Sequence, residues 1–132
     1  MQHVASKDEL GQAILEFAVI LPLFVFIGFG LVDLQWCVAK SANLEYIVTE
    51  TARCEAIAAA ACTGSNTPGS YAHQLAVNVR MNLGSLTMVS SACNGSTCTV
   101  VMTYHFTPFG VWFPNVTIKR TGTAAQPPGA GG

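Results

Sequence analysis

Residues 11–32, GQAILEFAVILPLFVFIGFGLV, form the stretch that decides the fold of this chain. From position 13 to position 32 every residue is Ala, Val, Ile, Leu or Phe, with four exceptions: Glu16, Pro22, Gly28 and Gly30. A helix rises about 1.5 Å per residue, so this run spans about 30 Å, the thickness of the hydrocarbon core of a bilayer. A soluble helix of this length keeps a polar face toward water, and this run has none. The stretch predicts a transmembrane helix over residues 12–33.

Glu16 is the acidic residue inside the apolar run. An ionised carboxylate among lipid chains is costly unless a positive group lies beside it, so an acid at this position indicates a functional role. The alternative is a plain membrane anchor in which Glu16 lies at headgroup depth and reaches water.

Gly11 lies five positions before Glu16, at the mouth of the apolar run. This pattern, GQAILE, resembles the recognition site of the peptidase that processes type IV prepilins. The longer stretch GQAILEFAVILPLF is similar to the N-terminal signature of the TadE-like family, the pseudopilins of tight adherence (Flp) pilus systems. The resemblance continues in NLEYIVTETARCEAIAAAA, which contains the pair Ala52 and Arg53, and in TYHFTPFGVWFPNVTIKRTGTA.

The resemblance implies that a membrane aspartyl peptidase cuts after Gly11, removes residues 1–11 as a leader and leaves Gln12 as the new N-terminus. The new α-amino cation, from the same or a neighbouring subunit, would then neutralise Glu16 in a medium that screens charges weakly. The implied partners are the prepilin peptidase, other pilin-like subunits, the pilus assembly platform and membrane lipid. The implied role is a minor subunit or assembly factor of a pilus that serves cell adhesion and secretion. Its N-terminus would be cytoplasmic and its C-terminal head would lie outside the inner (cytoplasmic) membrane.

A second class of function also fits the sequence, namely an uncleaved single-pass anchor that carries an extracytoplasmic binding module. An enzyme fits poorly, because His73 and His105 are isolated and no nucleophile motif or glycine-rich phosphate loop is present. The net charge of −1, with 10% charged residues, provides no basic surface for nucleic acid. We therefore expect no catalytic residues, cofactor, small-molecule substrate or nucleic-acid partner.

Beyond the membrane span the sequence predicts an α+β, pilin-like fold with a helical stem over 34–61, a head over 62–123 and a disordered tail over 124–132. The apolar positions of the stem recur at intervals of three or four residues, and we expect this face to meet other pilin-like helices: Leu34, Val38, Leu44, Ile47, Val48 and Ile57. In the head, residues 71–83 predict a second, shorter helix that stops at Gly84. Residues 86–91, 97–106 and 116–121 predict the strands of a small antiparallel sheet.

Pro22 interrupts the hydrogen bonding of the predicted membrane helix and favours a kink or a loosened turn there. Such a turn would help a subunit to leave the bilayer. Proline is also common in membrane helices that have no such role.

Five cysteines bear on the compartment of the head. Cys93 and Cys98 bracket the turn sequence NGST, and a disulfide between them is sterically reasonable. Cys54 and Cys62 would lie about 12 Å apart in one unbroken helix, so they pair only if the helix ends before Cys62, or they cross to Cys93 and Cys98. Cys37 is the fifth cysteine, and these pairings leave it over. Paired cysteines indicate an oxidising compartment and hence a head outside the cytoplasm. We expect no metal, since the cysteines lack zinc-ligand spacing.

Overall fold

The computed structural model describes residues 7–57, 62, 67–94, 96–108 and 114–127. Its elements follow in a simple order along the chain: α1 (Lys7–Ala56), α2 (Pro68–Asn78), a 3-10 turn (Leu83–Ser85), β1 (Leu86–Asn94), β2 (Thr97–Phe106) and β3 (Val116–Ala125). The strands form one antiparallel sheet in the order β1-β2-β3. The α+β fold with a long N-terminal helix, a short second helix and a small sheet is therefore confirmed.

The first half of α1 is the exposed apolar run. The helix has 50 residues and a length of about 75 Å. Its large apolar side chains from Ile14 to Val32 are between 47% and 70% exposed. In length and composition this helix is able to cross a membrane. The helix continues through Pro22, so the kink stays a prediction.

The second half of α1 packs against the sheet. Leu44, Ile47 and Val48 are fully buried, and in β2 every second residue from Cys98 to Phe106 is buried on the same side. This alternation is that of a strand with one face on the core. The rest of the predicted stem face does not join this core, since Leu34, Val38 and Ile57 are about 60% exposed. The buried part of that face therefore meets the chain's own sheet, not another subunit.

The stem helix ends earlier than predicted. Its last helical residue is Ala56 and Ile57 lies in a turn, while residues 58–61 of the predicted stem lie outside the described part of the chain. The disulfide between Cys54 and Cys62 accounts for the turn, because it brings their Cα atoms to 6.0 Å. A helix continuing to Cys62 would separate them by about 12 Å.

The second helix begins and ends before its predicted limits. It begins at Pro68, not Tyr71, because the Thr67 side chain accepts a hydrogen bond from the backbone N–H of Ser70 at 3.2 Å and proline suits the first helical position. It ends at Asn78, not Leu83, because Arg80 adopts a left-handed conformation with φ of 53°.

Two backbone hydrogen bonds close the end of α2. The N–H of Met81 donates to the carbonyl of Ala76 at 2.9 Å, and the N–H of Arg80 donates to the carbonyl of Val77 at 3.1 Å. Together with the left-handed residue they form a Schellman motif, in which glycine is the usual residue at the position of Arg80. Gly84, the predicted stop, lies instead in the 3-10 turn.

β2 has its predicted limits, whereas β1 and β3 are longer than predicted. β1 extends to Asn94 and β3 to Ala125. Ala124 pairs with Cys98 and Ala125 with Thr97, so these two alanines belong to the sheet and not to a disordered tail. The pairing continues in the bond from the N–H of Gln126 to the carbonyl of Ser96, at 2.8 Å. Residues 128–132 of the predicted tail lie outside the described part of the chain.

Candidate functional site

The predicted processing residues lie together near the start of α1. Gly11, Gln12 and Glu16 are all exposed. The side-chain amide of Gln12 donates to Oε1 of Glu16 at 3.4 Å, because residues four apart share a helix face. The structure therefore places these residues on a surface that another molecule can reach.

In the described part of the chain, no neighbouring atom requires a glycine at position 11. Gly11 lies within the helix, and a Cβ built on it meets no atom within 4 Å. Glycine in a helix costs about 1 kcal/mol relative to alanine. The absence of a side chain at Gly11 thus has no structural benefit among the described residues, which directs attention to recognition by another protein.

Glu16 carries a negative charge on an otherwise apolar part of the helix surface. Within the described ranges its polar contact is the amide of Gln12, and it forms no ion pair. Gln12 lies about 6 Å away along the helix axis. A positive group at the backbone nitrogen of Gln12 would therefore lie within range of the carboxylate, on the positive side of the helix dipole. The arrangement suits binding of a cation.

Two disulfides lie at the far end of the head from the apolar run. One joins Cys54 to Cys62. The other joins Cys93 to Cys98, which face each other across the β1–β2 hairpin with Cα atoms 4.0 Å apart. The remaining cysteine, Cys37, is half-buried and not in a disulfide. The structure thus contains the local pairings and not the crossed ones.

Glu55 lies beside the hairpin disulfide. A carboxylate oxygen and the sulfurs of Cys93 and Cys98 lie within 4.8 Å of one another, and Oε1 of Glu55 accepts a hydrogen bond from the hydroxyl of Ser91. Both sulfurs are bonded to each other, whereas a metal binds a cysteine as its thiolate. The hydrogen bond from Ser91 to Glu55 therefore joins the end of α1 to the hairpin. While Cys93 and Cys98 are joined in a disulfide, they provide no thiolates for a zinc ion.

The two histidines of the described chain lie on different elements. His73 is exposed on α2, and His105 is exposed near the end of β2, where Nδ1 lies 3.1 Å from the hydroxyl of Thr117. The structure does not bring them together into one site.

Two adjoining depressions lie where α1 meets the ends of β2 and β3, and the sequence did not predict them. The larger, of about 290 Å³, has a mixed polar and apolar lining that includes Trp36, Lys40 and Arg80. The smaller, of about 160 Å³, has a mainly apolar lining that includes Leu34 and Phe106. Trp36 and Lys40 follow the apolar run closely in the sequence, but Arg80 joins them only through the tertiary fold.

The fold defines a class of protein in which a small α+β head is carried on a long helix. The first half of that helix is long and apolar enough to span a membrane. Residues 11–53 of this chain match the family model described as TadE-like protein. The match covers Gly11, Gln12, Glu16 and most of α1, about a third of the chain, and it confirms the resemblance to the TadE-like family in this segment. It indicates an association with Tad pili. The comparisons with curated proteins and with solved structures give no match.

Proposed function

We propose that the protein is a TadE-like pseudopilin, a minor subunit or assembly factor of a tight adherence (Flp) pilus, processed by a prepilin peptidase after Gly11. The observation that carries the proposal is the exposed group of Gly11, Gln12 and Glu16 at the start of a 50-residue helix, within the segment that matches the TadE-like family. The absence of any steric need for Gly11 supports a role in recognition.

Cleavage changes the electrostatics of Glu16. In the intact chain the nitrogen of Gln12 is an uncharged amide within α1. After cleavage it is an ammonium about 6 Å along the axis from Glu16, in surroundings where an unpaired charge is costly. Processing therefore supplies the positive charge that Glu16 lacks. When the ammonium comes from a neighbouring subunit, the pair sets the register of one helix against the next.

The disulfides support the orientation. Both lie beyond the apolar half of α1, one between the stem and the head and the other within the head, and disulfides persist in oxidising compartments. The head is then extracytoplasmic, the leader is cytoplasmic and α1 crosses the inner membrane once. In this account the protein acts by packing its helix against other pilin-like helices, not by catalysis.

The intact mass of the protein tests the proposal. The full chain is purified from membranes of cells that express a cognate prepilin peptidase, together with the variants Gly11→Leu and Gly28→Leu. The second variant is a matched control, because Gly28 also lies exposed in α1 with no atom within 4 Å of a built Cβ.

We expect a chain that begins at Gln12 for the wild type and for Gly28→Leu, and an uncut chain for Gly11→Leu. An uncut wild-type chain would contradict the proposal and leave an uncleaved membrane-anchored binding module as the better account. Cleavage of Gly11→Leu would show that Gly11 is not the recognition residue.

A further inference from the structure

The two depressions lie at the level where α1 leaves the bilayer. The apolar run ends at Val32, and Asp33 lines both depressions. Lys40 lies about 12 Å beyond Val32 along the axis, and helical side chains lean back toward the N-terminus, here toward the bilayer. The polar zone of a bilayer extends about 5–7 Å beyond its hydrocarbon core. We call the two depressions together the cleft. The α1 side chains that line the cleft therefore reach the depth of the lipid headgroups.

The larger depression has the charge and donors that suit a phosphate group. Its lining residues include the basic Lys40 and Arg80, the acidic Asp33, and His105. The ammonium of Lys40 donates to the backbone carbonyl of Arg80 at 3.1 Å, which leaves two of its three N–H groups for oxygens of a ligand.

The smaller depression has the chemistry that suits hydrocarbon. Apart from Asp33, the described residues of its lining are apolar and come from both α1 and the head: Gly30, Leu34, Cys37, Phe106, Pro108 and Val116. It shares Asp33 and Phe106 with the larger depression. A depression with charged and polar residues beside an apolar one matches an amphiphile, whereas a soluble anion would fill only the first of them.

Arg80 has a backbone conformation that lowers the stability of the fold. Its φ of 53° lies in the left-handed region, where a residue with a side chain is less stable than glycine by about 1 kcal/mol. A strained residue at a candidate site is a reason to look for function there. Arg80 lines the cleft and its side chain is exposed, so its guanidinium is within reach of a ligand there, which a glycine would not provide.

From these observations we propose that the cleft binds an anionic glycerophospholipid, with its phosphodiester between Lys40 and Arg80 and the first part of an acyl chain in the apolar depression beside Leu34. The inference rests on the proposed membrane span of α1 and not on cleavage after Gly11.

Native mass spectrometry of the full chain in non-ionic detergent tests this proposal. The probes are phosphatidylglycerol, phosphatidylcholine with the same acyl chains, and soluble glycerol phosphate. We expect one phosphatidylglycerol to bind at least about tenfold more tightly than phosphatidylcholine. The two lipids share the phosphodiester, but the choline ammonium of phosphatidylcholine cancels its negative charge and is a like charge beside Lys40 and Arg80. Glycerol phosphate should not bind detectably, since it has no acyl chain. Equal binding of both lipids, or binding of glycerol phosphate as tight as that of the lipid, would overturn the proposal.

The variant Arg80→Gly removes the guanidinium without harming the fold, since glycine suits the left-handed position. We expect it to weaken phosphatidylglycerol binding about tenfold. The control is Lys119→Gln, which removes one positive charge from an exposed residue of β3 that does not line the cleft. An equal loss in both variants would show diffuse attraction of charge and overturn a defined site.

Membrane extraction at alkaline pH is measured on the same variants. A chain that resists extraction but shows no preference for phosphatidylglycerol contradicts the lipid site alone. A chain that is extracted contradicts the membrane span as well, so the two failures are distinguished.

Discussion

At Gly122 the absence of a side chain allows β3 to lie directly on the backbone of α1. A Cβ built there would lie 2.7 Å from the carbonyl carbon and oxygen of Val48. Real Cβ atoms do not approach a backbone so closely, so the helix and the sheet would have to separate. We expect Gly122→Ala to lower the free energy of unfolding by about 1–3 kcal/mol, measured by chemical unfolding of the full chain in detergent.

Gly69→Ala is the control for this variant. Gly69 lies in the first turn of α2, where the nearest atom to a built Cβ is the Thr67 hydroxyl at 3.8 Å. Alanine favours a helix over glycine, so stability should rise by up to about 1 kcal/mol. Equal effects in both variants would contradict the close approach at Gly122.

Arg80 is the residue at which a change to glycine should stabilise the protein. Its left-handed conformation is held by the hydrogen bonds of the Schellman motif and costs nothing when the residue is glycine. We expect Arg80→Gly to raise the free energy of unfolding by about 0.5–1 kcal/mol. The midpoint of thermal unfolding measures it, with Arg53→Gly as a control. Arg53 lies inside α1, where glycine should lower stability by about 1 kcal/mol.

Glu16 should matter for assembly more than for stability. Its side chain is exposed and its contact is the amide of Gln12, so Glu16→Gln should leave the unfolding of the head unchanged. The variant removes the anion that the ammonium of Gln12 would pair with. Under the proposed function it should reduce the amount of other pilin-like subunits that co-purify with the chain. Unchanged co-purification would contradict the pairing of Glu16.

At the scale of elements, the disulfide between Cys54 and Cys62 ties the end of α1 to the segment before α2. It closes a short loop with a sequence separation of 8. The loss of chain entropy for a loop of this length corresponds to about 2 kcal/mol. We expect the double variant Cys54→Ser, Cys62→Ser to lose about that much stability in denaturant titration. Cys37→Ser is the control, because Cys37 is in no disulfide and should change stability by less than about 1 kcal/mol.

The elements that the sequence predicted well are those with a strong local pattern. The apolar run predicts the exposed half of α1, and the β-branched and aromatic residues from Thr97 to Phe106 predict β2 with its observed limits. The elements predicted less well depend on chemistry outside the pattern. The start of α2 depends on the cap at Thr67, and its end on an arginine where glycine is usual. The end of β3 depends on pairing with β2, since alanines are weak strand formers.

The same distinction holds for the candidate sites. Gly11 and Glu16 lie on one short stretch of helix, so their spacing was visible in the sequence. The cleft joins Lys40 to Arg80, which are 40 positions apart and meet through a side-chain to backbone hydrogen bond. Such a contact follows from how the head is placed on α1, and no local pattern encodes it.

At the scale of the whole molecule, the cleft and the disulfides lie at opposite ends of the head. The cleft lies beside the end of the apolar run, and both disulfides lie near the end of α1. If the head is extracytoplasmic as proposed, the disulfides form only after the head has crossed the membrane. In cells that lack the periplasmic disulfide oxidant, we expect the chain to accumulate with Cys54, Cys62, Cys93 and Cys98 as free thiols, measured by mass after thiol alkylation. Full oxidation in those cells would contradict the orientation.

The position of Val48 beneath Gly122 also determines how the molecule carries mechanical load. Arg120 of β3 donates to the hydroxyl of Ser41, and Gly122 lies on Val48 further along the same helix. The sheet therefore lies alongside α1. A pulling force along the helix axis acts on this interface in shear, so that its contacts resist together and do not open one after another. Tension applied to the apolar end of α1 is thus transmitted to the head through the buried face of the helix.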